Sequence, residues 1–79
     1  MQTMERLTEI FRNVFDDAGL RIGEATTARD VEGWDSMAHL NLVFAIEEEF
    51  GFTFSTRELG SLESVGDLLA VIRRRSGAA

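Results

Sequence analysis

A chain of 79 residues has room for one small domain and one compact core; folding at this length buries only around 60% of the surface the unfolded chain exposes, and a stability on the order of 4–12 kcal/mol leaves little for strained catalytic geometry. Fourteen acidic against eight basic residues give a net charge of −6, which argues against nucleic acid and for either a basic partner surface or plain solubility. Cysteine is absent, which removes disulfides and thiol-based metal or redox sites; with no apolar run near the about 20 residues of a membrane span and no signal-peptide core in the first dozen residues, a soluble, cytoplasmic, monomeric single domain over residues 1–79 is expected.

In chain order, Met4, Leu7, Ile10, Phe11, Val14 and Phe15 recur three and four apart, which predicts a helix over Thr3–Asp16 with one continuous apolar stripe and Gly19 just past its end. From Gly19 to Asp35 the periodicity gives way to Gly, Thr, Ala and isolated charges, with Leu20, Ile22 and Val31 spaced to pin a long loop to the core. A second helix is predicted over Ser36–Phe50, capped by Asp35 or Ser36 and stopped by Gly51 in the left-handed conformation. Phe52 and Phe54 then alternate with Thr53 in a short extended piece that drops two rings into the core.

Ser55 followed three residues later by Glu58 is a capping box, and opens a short helix that carries Leu59 and stops near Gly60. Ser64 with Asp67 repeats the device ahead of a last helix through Val65, Leu68, Leu69 and Ile72. Arg73, Arg74 and Arg75 fall at its C-terminal end, where the helix dipole favours cations, and Ser76 to Ala79 are expected to fray. The predicted architecture is all-α: an irregular bundle of three main helices and one short one, with a long first loop, around Leu7, Phe11, Phe15, Leu42, Ile46, Phe50, Leu68 and Ile72.

The second helix has two apolar faces. Leu42, Val43, Ile46 and Phe50 fall within about 100° of one another, an ordinary core stripe. Met37, Leu40 and Phe44 lie on roughly the opposite side, beside Glu47 and Glu48. Either this second stripe packs under the long loop, which for Leu40 is as good a reading as the other, or it is an exposed apolar patch ringed by acid that docks partners. Methionine suits a surface that accepts several partners, because its thioether adapts in shape. Glu49 turns toward the edge of the core stripe.

At the start of that helix stands Gly33-Trp34-Asp35-Ser36-Met37. A hydroxyl there sits among the unpaired N–H groups of the first turn, where an anion on its oxygen meets partial positive charge. A D-S pair before a helix is by itself a common N-cap. No second glycine makes a G-x-S-x-G elbow, the single histidine lies on the same helix, and no P-loop, EF-hand or metal-ligand cluster is present, so an enzyme reading is poorly supported. His39 reads as a core-edge residue and Trp34 as a cover over the top of the bundle.

Gly33-x-Asp35-Ser36-Met37, the Glu47-Glu48-Glu49-Phe50-Gly51 ending of the same helix, and Ser64-Val65-Gly66-Asp67 together resemble, in the same order, the acyl carrier protein family over nearly the whole chain. The resemblance implies that Ser36 is esterified with 4′-phosphopantetheine from coenzyme A, that Asp35 belongs to the motif read by a phosphopantetheinyl transferase, and that Met37, Leu40, Phe44, Glu47 and Glu48 dock the synthases and transferases that load and unload the carrier through basic surfaces. It also implies a long first connection and a non-catalytic role, carrying acyl or aminoacyl groups as thioesters. Housekeeping fatty-acid carriers have further acids early in the second helix and a small residue before the motif. Ala38, Asn41 and Trp34 stand there in this chain, which favours a specialised, stand-alone carrier of a polyketide, peptide or modified-lipid pathway. The other class compatible with the sequence is an acidic helical adaptor with no prosthetic group.

Overall fold

The computed structural model describes residues 2–76. Among the described residues four helices follow one another, α1 (Gln2–Val14), α2 (Ser36–Phe50), α3 (Thr56–Gly60) and α4 (Val65–Ser76), the all-α bundle expected. Leu7, Phe11, Leu42, Ile46, Leu68 and Ile72 are wholly buried where the sequence placed the core, each stabilising the fold by about 1.5–3 kcal/mol. Phe15 and Phe50 only border that core, and Phe54, Val65, Leu69 and Val71 complete it.

α1 ends earlier than its periodicity suggests. Asp16 takes a left-handed φ of 51°, and Asp17 N–H donates back to Arg12 O at 3.0 Å, the six-to-one bond that closes a helix. Gly19 is therefore not the stop; an aspartate tolerates the conformation glycine usually supplies. α2 begins and ends where its chemistry says, with Asp35 as N-cap and Gly51 at φ 75° donating to Glu47 O.

Val31 of the first loop is buried, and Leu20 and Ile22 pack against the core. The loop also does something its composition does not announce. Its carbonyls cap α4: Val65 N–H donates to Thr26 O and Gly66 N–H to Glu24 O, both at 2.8 Å, beside an isolated antiparallel bridge between Thr27 and Ser64. Two first-turn donors that a helix leaves orphaned are satisfied by the connection itself. Ser64 and Asp67 complete the cap reciprocally, Asp67 N–H to Ser64 Oγ and Ser64 N–H to Asp67 Oδ2.

At the other end of α4 the arginines do more than complement a dipole. Glu58, the third residue of α3 and mostly buried, accepts Ser55 N–H and Arg75 Nη1 on Oε1 and Arg74 Nη2 on Oε2, while Arg75 Nη2 reaches Thr53 O. The capping box is formed as predicted, and its glutamate also ties α3 to α4. Phe52 and Phe54 meet edge to face at 4.9 Å, with only Phe54 buried. The fraying expected from Ser76 onward concerns residues 77–79, outside the described residues; Ser76 closes α4.

Candidate functional site

Asp35 and Ser36 both compete on paper to cap α2, and the structure divides the roles. Asp35 Oδ1 accepts Ala38 N–H at 2.9 Å and Asp35 O accepts His39 N–H at 2.8 Å, so the cap belongs to Asp35. Ser36 is the first helical residue, exposed, and its hydroxyl makes no bond to any described residue. A serine released from capping duty, on a turn whose first N–H groups have no helical acceptor, is accessible to a modifying enzyme and suited to bear an anion.

The approach to this serine is built by a tight turn. Trp34 N–H donates to Val31 O with Gly33 in third place at φ 90°, a conformation that glycine takes without strain. The turn sends the Trp34 ring onto Phe11, edge to face at 5.3 Å, and toward Phe15 at 6.2 Å. The expected cover over the bundle is thus present, and it reaches further: Trp34 Nε1–H donates to His39 Nδ1 at 3.1 Å and the two rings stack 15° from parallel. Sequence reasoning saw His39 only as a core-edge residue. Its i,i+5 distance from Trp34 spans a helix start, where no simple periodicity signals a contact.

Trp34, Ser36 and His39 line one open groove of about 600 Å³ together with Leu40, Leu62 and Ala28. Ala28 comes from the long loop and Leu62 from the α3–α4 connection; neither carried a functional signal in the sequence. An exposed hydroxyl at the mouth of a largely apolar groove fits a serine-linked flexible group that lies along the protein. A second depression of about 560 Å³, lined by Thr27, Arg29, Glu63 and Asp67, shares Leu62 and Ala28 with it but offers no free nucleophile aligned with a cap. Its Asp67 is committed to the start of α4.

The second apolar stripe of α2 is on the surface: Met37 is 70%, Leu40 51% and Phe44 62% exposed. Of the two readings left open for Leu40, packing under the loop is therefore not the one adopted. The acidic residues beside the stripe separate into three conditions. Glu48 is exposed with no partner among the described residues. Glu47 is half-buried, and its Oε2 accepts Phe54 N–H at 2.8 Å, pinning the extended segment after α2. Glu49 pairs with Arg6, whose guanidinium also covers the Phe50 ring. Only Glu48 thus presents an uncommitted carboxylate.

The phosphopantetheine attachment-site family model matches residues 5–72. The solution NMR structure of a holo acyl carrier protein from Geobacter metallireducens is similar to this fold with a TM-score of 0.89 and 38% identity, covering 98% of this chain and 88% of that one. No curated protein matches the sequence significantly.

Proposed function

We propose, from the premise that this chain belongs to the phosphopantetheine attachment-site family, that Ser36 bears the 4′-phosphopantetheine arm and that the chain carries acyl or aminoacyl groups on it between partner enzymes. Membership makes the chain a non-catalytic carrier with a covalent phosphopantetheine as its prosthetic group. When bound, that group supplies a thiol that holds cargo as a thioester. With no cysteine in the chain, no protein sulfur competes for the cargo. The observation that carries the assignment to Ser36 is the division of labour at α2, where Asp35 takes the cap and leaves the serine hydroxyl exposed and unbonded.

The residues around it have separable duties. Asp35 fixes the start of α2, and with it the position of Ser36, and serves as part of the motif that a phosphopantetheinyl transferase reads. Met37, Leu40 and Phe44 form the apolar contact for partner enzymes. Glu48, with Glu47 at the edge, provides the charge that steers basic partner surfaces toward it; such a combination favours fast exchange over tight binding. Loading enzymes, synthases and transferases of fatty-acid, polyketide, peptide or modified-lipid biosynthesis are the partners this surface suits. Trp34 and the uncharged Ala38 and Asn41 favour the specialised pathways. Among the described residues no helix is long and apolar enough to cross a membrane, and a cysteine-free acidic carrier suits a reducing cytoplasm.

Loading tests this reading. The purified chain, given an acyl-coenzyme A and a promiscuous transferase, should gain an acyl-phosphopantetheine, with adenosine 3′,5′-bisphosphate released, and neutral hydroxylamine should then release the acyl group. Failure to acquire any cleavable acyl group would leave an acidic adaptor that binds through the exposed stripe.

A further inference from the structure

The hydrogen bond between Trp34 and His39 fixes more than two rings. An indole N–H donates and never accepts, so His39 Nδ1, 3.1 Å away, must present its lone pair. The proton of the neutral imidazole then resides on Nε2. Nε2 has no partner among the described residues, and the imidazole lines the groove that holds Ser36. Spacing of i,i+3 on α2 makes the two side chains neighbours, with about 5–6 Å between Cβ atoms.

The surroundings make this N–H distinctive. No arginine lines the groove, and the chain has no lysine. The indole N–H is spent on His39, and the Asp35 carboxylate can only accept. Apart from the serine's own hydroxyl, His39 Nε2–H is the one side-chain donor the groove offers. Its orientation is anchored to the core, because Trp34 is wedged against Phe11 and Phe15. A preset neutral donor stands one helical turn from a hydroxyl expected to carry a phosphodiester, with no acceptor for its N–H among the described residues.

We propose that Trp34 locks His39 as an Nε2–H donor to a phosphodiester oxygen of the group on Ser36, so that the pair holds the root of the arm against the groove. The inference rests on Ser36 as the attachment point and adds a positioning residue, His39, with Trp34 setting its tautomer. A hydrogen bond to a charged acceptor is among the stronger kinds. It restrains the first atoms of the arm while leaving the distal thiol free.

The chain contains one histidine and one tryptophan, so its spectra are unambiguous. Long-range proton–nitrogen spectra of the unmodified protein, recorded at a pH where the imidazole is neutral, should show a bare Nδ1 and a protonated Nε2. The opposite tautomer would overturn the proposal. In Trp34→Phe the Nε2–H population should fall to the mixture of tautomers of a free imidazole, in which that form is still the major one. After pantetheinylation with coenzyme A, confirmed by intact mass, the phosphorus resonance should shift between the wild-type chain and His39→Ala. His39→Gln should stay near the wild-type position, since its amide offers an oxygen to the indole and an N–H to the phosphate. Coincident phosphorus resonances in all three, with helicity retained, would refute the proposal while leaving Ser36 as the attachment point. Absence of a mass adduct on the wild-type chain would instead defeat the carrier assignment itself, and this phosphate contact with it.

Discussion

A Cβ on Gly66 would lie 2.9 Å from the carbonyl oxygen of Glu24, the same oxygen that Gly66 N–H uses at 2.8 Å. The first loop and the start of α4 approach that closely because the loop's carbonyls are the helix cap. The loop is thereby held where Ala28 can line the groove at Ser36.

Gly66→Ala should accordingly push the loop off α4. The obstructing atom is backbone, which has little room to give, so the cost is expected to be about 1–3 kcal/mol. For a domain of this size that lowers Tm by at least about 4 °C. Thermal unfolding followed by circular dichroism measures it; an unchanged Tm would mean that the approach is looser than described.

Glu58 sets an acid limit on the fold. Accepting Ser55 N–H and the two arginines holds its carboxyl at about 2, against an ordinary 4.5, although burial pulls the other way. A carboxylate whose pKa is lower folded than unfolded contributes stability that is complete above about 4.5 and is lost as pH falls toward 2. The Tm difference between the wild-type chain and Glu58→Gln should therefore be widest near neutral pH and should narrow across that interval. A gap independent of pH would contradict the role given to the charge.

Asp16 holds α1's end in a left-handed conformation that costs most L-residues free energy. Asp16→Gly should relieve it and raise stability by about 0.5–1 kcal/mol, read as a higher denaturation midpoint with an unchanged slope. A lower midpoint would show that the aspartate side chain contributes more than its backbone costs.

The acidic residues of α2 should respond differently to reversal of charge. Glu48→Lys is expected to slow modification and loading several-fold, with a loss that fades at high salt, and to leave Tm unchanged. Glu47→Lys removes the acceptor of Phe54 N–H and should cost about 1–3 kcal/mol of stability as well. Loading kinetics beside melting curves separate the two; equal loading by the Glu48→Lys chain would remove that residue from the docking surface.

What the sequence discloses depends on whether the signal is local. α2 was legible to the residue because both ends carry their own chemistry, an aspartate cap and a left-handed glycine. The exposed stripe of Met37, Leu40 and Phe44 was foreshadowed because one helix carries more apolar surface than one core can bury. The end of α1 was placed two residues late because the apolar stripe runs on to Phe15, which packs against the core beyond the last helical residue, Val14. Glu47, Glu58, Arg74 and Arg75 acquired partners through tertiary structure, seven to 22 residues away, which no periodicity encodes. For the loop capping α4, the sole local hint was a glycine at the second position of a helix, where helix propensity disfavours it. The Trp34–His39 pair was hidden for the same reason: each residue had an adequate packing explanation alone.

The most direct test of the account is the site of modification. The purified chain and Ser36→Ala are each incubated with coenzyme A and a promiscuous phosphopantetheinyl transferase, and their intact masses are recorded. A single phosphopantetheine adduct on the wild-type chain, mapped to the peptide containing Ser36 and missing from Ser36→Ala, is the predicted result. An adduct that persists in Ser36→Ala, or none on the wild-type chain, would contradict the assignment of Ser36 as the carrier residue.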